Sequence, residues 1–313
     1  MIKYILNFIV SLSIFIFGIN FLTSSLKNIN GNNYIKKIEK TNSIGKGIIT
    51  GTIITGIVQS SSFITVLVVS LVDSGILSLN NAIGIVMGSN IGTCLTSWLL
   101  SLSSINYLSI FDLGNLMGII AILSILFLIK KRIKISNILF GILILILSMN
   151  LMTESMMPLS KLNEFQNVIK YFENPLLGLL LGIILTAIFQ SSSLVIGILE
   201  SLSINSNITF LAGFTIILGS NIGTCITAII ASINTNKTSK IVSMFHLVFN
   251  IVGTIIFLIG FYLLNNLLHF NFTYQNINPI YIALIHTIFN VGSTIILYPL
   301  TKKLINISKR LVN

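Results

Sequence analysis

The chain has 313 residues, 54% of them hydrophobic and only 8% charged, with a mean hydropathy of +0.99. Soluble domains carry about 25% charged residues, so 18 Lys/Arg and 7 Asp/Glu are too few to coat a soluble surface, and the composition points to an all-α polytopic membrane protein. The net charge of +11 is no nucleic-acid footprint, because the bases cluster at Lys27–Lys46, Lys130–Lys134, Lys237–Lys240 and Lys302–Arg310, the pattern of a topology signal.

In chain order, Met1–Leu22 is an apolar run with a basic tip and no small-residue cleavage site. It reads as a retained helix rather than a leader. Lys27–Lys46 reads as a basic cytoplasmic loop. Gly47–Val72 is long enough to cross a membrane, and Asn81–Ser101 and Ile110–Ile129 follow it. Three crossings would strand Lys130-Lys131-Arg132-Ile133-Lys134 outside, against the positive-inside rule. If Gly47–Val72 instead dips in and returns, that loop falls inside. Ile135–Leu151 then exits and Thr153–Asn174 lies outside. Pro175–Leu202 dips in from outside, and Phe210–Ser232 crosses inward to Lys237 and Lys240. Ser243–Leu264 exits, Ile277–Leu300 re-enters, and the basic tail with Lys302, Lys303, Lys309 and Arg310 ends in the cytoplasm. These runs lack the alternation of a membrane β-barrel.

Two polar words are each written twice. Gln-Ser-Ser-Ser stands at Gln59–Ser62 and Gln190–Ser193, and Gly-Ser-Asn-Ile-Gly-Thr-Cys at Gly88–Cys94 and Gly219–Cys225, all offset by 131 positions. Such self-similarity marks two copies of one unit. The units are residues 1–132 and 133–265, with 266–313 adding a further membrane helix and the basic tail. An odd number of crossings per unit inverts the second copy. The expected fold is therefore two inverted-topology repeats in a multi-pass cell-membrane protein, each with a re-entrant hairpin and a broken transmembrane helix. In such folds the site lies near the bilayer midplane.

Each hairpin reads apolar arm, Gln-Ser-Ser-Ser, apolar arm. An arm reaches about halfway across at 1.5 Å per residue, which sets the polar word at mid-depth on the N-terminus of the returning arm. Free N–H groups and the positive dipole end favour an anion there. Serine hydroxyls add donors, and as acceptors they also suit a hard cation. Gln59, Ser60, Ser61, Ser62, Gln190, Ser191, Ser192 and Ser193 are thus candidate substrate residues, with the two glutamines expected to brace the tips across the pseudo-twofold. The second word is expected to unwind its helix at Gly and Asn. Ser89, Asn90, Thr93, Ser220, Asn221 and Thr224 become candidate cation ligands. Gly84 and Gly88, and likewise Gly114 and Gly118, read as helix-packing positions.

Glu200 lies inside the returning arm of the second hairpin, where it could be protonated or help hold a cation. Asp73 reads as solvated, Asp112 as the N-terminus of a span, and Glu154 as the outer end of its helix. His246 and His286 share the pattern His-x-x-Phe-Asn, read as satisfied interior histidines ahead of a gating or proton-linked role. Cys94 and Cys225 read as small buried thiols. No acid/base pair, activated nucleophile or phosphate-cradling loop argues for an enzyme, and no cofactor or metal beyond a coupling ion is called for.

Paired Gln-Ser-Ser-Ser words, each followed 30 positions later by Ser-Asn-Ile-Gly-Thr, resemble the sodium-dependent phosphate cotransporter family (type II, Na/Pi). The resemblance covers both repeats and the His-x-x-Phe-Asn pattern at His246. It implies Na⁺-coupled inward symport of inorganic phosphate, with both words contributing the binding site and phosphate, Na⁺ and the lipid bilayer as partners. Cys94 and Cys225 depart from the hydroxyl residues usual after Gly-Thr in that family. The chain also stops short of the PhoU-like C-terminal domain of many bacterial relatives, so it is expected to be a minimal member. A carrier of another anion or small polar solute, coupled to Na⁺ or H⁺, and a channel are the competing readings.

Overall fold

The computed structural model describes residues 2–39, 43–102, 113–205 and 208–312, and among these the fold is helical throughout. Helices α1 (Ile2–Glu39), α2 (Ile44–Val58), α3 (Ser61–Asp73), α4 (Leu79–Leu102) and α5 (Leu113–Ile129) come first. Then follow α6 (Ile133–Ser160), α7 (Asn163–Tyr171), α8 (Pro175–Phe189), α9 (Ser192–Asn205), α10 (Phe210–Gly223) and α11 (Cys225–Ser232). The chain closes with α12 (Lys237–Leu268), α13 (Pro279–Leu297), a 3-10 turn at Tyr298–Leu300, and α14 (Thr301–Val312). Asp112 lies outside the described residues. Among the described residues, six stretches are long and apolar enough to cross a membrane: Lys3–Leu26, Leu79–Leu102, Ile133–Pro158, Phe210–Ser232, Lys237–Leu268 and Pro279–Val312.

The two hairpins are α2–α3 and α8–α9. At 15 and 13 residues, α2 and α3 are about 22 and 20 Å long, short of the roughly 30 Å of hydrocarbon. Helices α2 and α4 run parallel in close contact. A Cβ on Gly47 would clash with Gly84, one on Gly51 with the Ile85 carbonyl, and one on Gly92 would come 2.7 Å from Thr55 Cβ. Pairing in rising order puts the start of α2 beside the start of α4, where α3 also ends. Helices α8 and α10 repeat this: Gly178 meets Thr215, Gly182 meets Ile216, and Gly223 meets Thr186. Each hairpin therefore begins and ends at one end of the bundle.

The two ends are opposite. The turn after α3 is tied to the start of α12: the Asn236 N–H donates to Asp73 Oδ1 at 2.7 Å, and Asn236 Nδ2 to the Asp73 carbonyl at 3.0 Å. Asp73 is thus exposed and also bonded across segments. The loops before α10 and α13 meet at the other end, where Phe210 N–H donates to the Gln275 carbonyl and Ile277 N–H to that of Ile208. The span Phe210–Ser232, made of α10 and α11, separates these two loop pairs, so the second repeat is inverted relative to the first. Tyr298 Oη lies by Gly45, which brings the end of α13 and the start of α14 to the Asp73 end. Lys46, Lys237, Lys240 and the bases of α14 therefore share one end.

Three expectations change. The stretch from Lys27 is no loop: α1 stays helical to Glu39, since no proline or glycine pair interrupts it before the undescribed residues 40–42. The Ile135–Leu151 segment continues to Ser160, and α7 then turns 98° into α8. The unwinding expected at Gly-Ser-Asn-Ile-Gly-Thr shrinks to Thr224, the one residue between α10 and α11, and α4 runs unbroken. The glycines lie four apart on one helix face, and pressing that face against α2 or α8 favours an intact helix.

Helices α12 and α13 complete the core. Helix α12 packs on α3, α4, α10 and α11, while α13 packs on α9, α10 and α4. Exchanging the repeat labels turns one set into the other, so α13 stands to the first repeat as α12 stands to the second. Helix α5 packs on α6 instead, joined by Ser124–Ser136 hydrogen bonds.

Candidate functional site

At each hairpin tip the sequence Gln-Ser-Ser-Ser sets one backbone pattern. Gln59 and Gln190 take left-handed conformations (φ 57° and 53°) that end the first arm. Ser60 is extended and caps the second arm, its Oγ accepting the Phe63 N–H at 3.3 Å, as Ser191 Oγ accepts that of Leu194. The first serine of each word is spent on capping. The N–H groups of Ser61, Ser62, Ser192 and Ser193 stand in first turns and have no intrahelical acceptor. The hydroxyls of Ser61, Ser192 and Ser193 carry no hydrogen bond among the described residues, while Ser62 Oγ donates to the Gln190 carbonyl across the repeats at 3.0 Å. The two helix N-termini thus converge, with donors facing a region free of Lys and Arg in both repeat cores.

The bracing expected from the glutamines is only partly realised. Gln59 is buried and bonded within its own repeat: Thr96 Oγ1 donates to Gln59 Oε1 at 2.7 Å, and Gln59 Nε2 donates to the Gly56 carbonyl. Gln190 is exposed and bridges the repeats through its backbone carbonyl alone. Thr96 and the Gly56 carbonyl take the bonding capacity of the Gln59 amide within its own repeat.

The second word lies alongside the arms that lead to the tips. Ser89 and Thr93 donate to carbonyls of α4, and Ser220 and Thr224 to carbonyls of α10. A hydroxyl that donates keeps its lone pairs for a cation. Asn90 reaches off its helix, with Nδ2 donating to Asn250 Oδ1 at 3.1 Å and Oδ1 facing His246 Nε2 at 3.2 Å. Its counterpart Asn221 donates to the Ile217 carbonyl of its own helix, and Asn290 Oδ1, the equivalent of Asn250 Oδ1 in the other half, has no partner. Matched positions are therefore closed in one half and open in the other. His246 and His286 are fully buried; Asn250 and Asn290 each donate to the carbonyl of the His four residues earlier, and His286 Nδ1 meets Ser97 Oγ at 3.1 Å. Cys94 and Cys225 are buried free thiols, the latter accepting from Asn250 Nδ2.

Sequence reasoning missed Thr55 and Thr186. Both are fully buried, both hydroxyls lack a partner, and each sits one turn before its tip glutamine against a glycine of the second word. The signal was present: the repeated word is Thr-x-Ile-x-Gln-Ser-Ser-Ser in both copies. Glu200 is buried in α9, about 12 Å along the helix from Ser192, and both of its carboxyl oxygens lack a partner.

Comparison with known proteins adds the lineage. Residues 14–154 and 144–270 each match the family described as Na+/Pi-cotransporter, one match per repeat. The Bacillus subtilis (strain 168) protein YqeW is 31% identical over 212 residues, 66% of each chain. The Escherichia coli (strain K12) protein YjbB, whose name describes inorganic phosphate export, is 25% identical over 210 residues, 66% of this chain and 37% of that one. The Ovis aries sodium-dependent phosphate transport protein 2A is 50% identical over 56 residues, 18% of this chain and 9% of its own. The chain thus aligns with just under two thirds of the first of these and much less of the others. No solved structure matches it. The doubled match, falling on the repeats that carry the converging tips, shows that the chain belongs to the Na+/Pi-cotransporter family.

Proposed function

We propose that the protein is a secondary active transporter that carries inorganic phosphate together with Na⁺. The observation that carries this reading is the meeting of two serine-capped helix N-termini from inverted repeats, joined by Ser62 and Gln190, in a core without a basic side chain. Buried anionic charge is costly without compensation. The N–H groups and hydroxyls of Ser61, Ser62, Ser192 and Ser193 supply donors and partial positive charge, and co-bound Na⁺ supplies the remainder. Because neither ion is well held alone, each raises the affinity of the other, and that reciprocity is coupling.

Oxygen ligands for Na⁺ come from Ser89, Asn90, Thr93, Ser220, Asn221 and Thr224, and the unpartnered hydroxyls of Thr55 and Thr186 join them. Residues 1–132 and 133–265 act as the two repeat units, with 266–313 supplying the helix that completes the first unit's side of the site. Alternating access follows from rocking of the repeats about the tips. The basic end of the bundle faces the cytoplasm. Transport is inward, down the Na⁺ gradient; the export named for YjbB is the specific reason to hold the opposite direction as the second reading.

Purified protein in proteoliposomes tests both. Labelled phosphate should accumulate under an inward Na⁺ gradient and fail to do so when choline replaces Na⁺. Uptake unchanged in choline would refute Na⁺ coupling. Accumulation only in vesicles whose basic, cytoplasmic end faces the outside medium would favour export.

A further inference from the structure

Glu200 is the feature that the proposed cycle does not use. Its side chain is 0% exposed, and neither carboxyl oxygen has a hydrogen-bond partner. The fold does not need a carboxyl there. At the same 131-residue offset the first repeat has Val69, 1% exposed and packed in the core with Ile64, Val68 and Val72. The same arm is thus built with an apolar residue in one copy and an acid in the other.

The surroundings are tight. One turn earlier, a Cβ on Gly197 would clash with the Phe15 ring of α1 and approach Leu100 of α4. One residue later, Ser201 Oγ meets Thr153 Oγ1 of α6 at 3.2 Å. The elements packed on α9 are α4, α6, α8, α10 and α13, together with α1 and α7. Helices α8 and α10 carry no titratable side chain, and α4 carries only Cys94. Helix α13 offers Tyr281 and His286, α6 Lys134 and Glu154, α7 Glu164, Lys170 and Tyr171, and the first turns of α1 Lys3 and Tyr4. None of these bonds to the Glu200 carboxyl. A carboxylate with no counter-charge in such a site is heavily penalised. Acidic side chains inside membrane segments are functional-site candidates by default, proton relays among them.

We propose that Glu200 is an exchangeable proton site that links H⁺ to the movement of the second hairpin. With α9 seated against α1, α4 and α6, the carboxyl keeps its proton. When the arm parts from them and water enters, the O–H bond breaks, the proton passes to water, and the carboxylate is left solvated. Reseating the arm requires a proton to be taken back from water, on whichever side the arm has opened. This deepens the transport reading above, because the same arm begins at Ser192.

Two measurements test it. In proteoliposomes with a fixed inward Na⁺ gradient, the ratio of phosphate uptake with and without an imposed pH gradient should differ from one by about threefold or more for the wild type. For Glu200→Gln and Glu200→Val the ratio should fall to about one. Independently, infrared spectra of the reconstituted wild type should show a protonated-carboxyl band, absent in Glu200→Gln, that exchanges its proton when Na⁺ and inorganic phosphate are added together. A Glu200→Gln ratio equal to the wild type overturns the proposal, as does a band that is missing or unmoved by Na⁺ and phosphate. If the wild type moves no phosphate under a Na⁺ gradient, the transport reading fails by itself. A pH-step infrared experiment on the same sample then decides the proton site: exchange of the Glu200 band supports it, and a band unchanged at every pH overturns it.

Discussion

At the residue scale, the serines of one word do different jobs. Ser191 caps α9, and losing an N-cap costs about 1 kcal/mol. Ser192 and Ser193 instead have unbonded hydroxyls beside free first-turn N–H groups. Ser191→Ala should therefore lower the melting temperature of the detergent-solubilised protein, while Ser192→Ala with Ser193→Ala should leave it nearly unchanged. The double variant should raise the apparent constant for phosphate or Na⁺ in uptake kinetics by about tenfold or more, since each lost hydrogen bond to a charged ligand is worth roughly 1.5–3 kcal/mol. Normal kinetics from it would remove the tip assignment. Thr55 and Thr186 give a sharper contrast. Each hydroxyl is buried without a partner, so Thr186→Val should preserve or raise thermal stability. If the hydroxyl ligates Na⁺, the same change should weaken the apparent Na⁺ affinity in uptake assays, and unaltered Na⁺ dependence would exclude it as a ligand.

At the element scale, glycine stripes hold each hairpin to its long helix. A Cβ on Gly88 would overlap the Ile48 carbonyl, and one on Gly219 the Leu179 carbonyl. These obstacles are backbone, which cannot swing aside. Gly88→Ala and Gly219→Ala should each destabilise by about 1–3 kcal/mol or more, as overpacking does, and be read as a lower melting temperature. Gly118, expected from the sequence to be a packing position, and Gly260 have nothing within 4 Å of an added Cβ, so alanine there should be tolerated in the same assay. Equal effects at all four positions would mean that helix propensity, rather than close packing, sets the requirement. The same stripes explain why α4 stays intact where glycine and asparagine suggest unwinding. A residue pattern that permits a break also permits close approach, and the neighbour decides between them.

For the whole molecule, the expected behaviour follows from two ends and one meeting point. Cysteines placed at Lys46 and Lys240 should react with an impermeant thiol reagent from one side of a sealed vesicle, and one at Tyr274 from the other. Labelling of all three from a single side would overturn the inverted arrangement. A short bifunctional thiol linker between Ser62→Cys and Gln190→Cys should join the tips, since Ser62 Oγ and the Gln190 carbonyl are 3.0 Å apart. Measured against the uncross-linked double variant, cross-linking should stop the phosphate uptake that variant retains, and cleaving the linker should return it to that level. Uptake that survives full cross-linking would show that the tips do not separate during transport.

Much of this protein was legible in its sequence. Scarce charge decided the solvent, the 131-residue offset of Gln59 and Gln190 decided the duplication, and the placement of lysines decided that Gly47–Val72 and Pro175–Leu202 return to the side they entered. These are local or compositional properties, and the bilayer makes them nearly obligatory by penalising stray charge and unpaired backbone. Only the tertiary structure decided that Asn90 is engaged by α12 while Asn221 is not, that Gln59 turns inward and Gln190 outward, that α13 rather than α5 completes the core, and that Glu200 is sealed without a partner. Each depends on which helix lies alongside, and packing partners far apart in the chain leave no periodic trace in either partner's own residues.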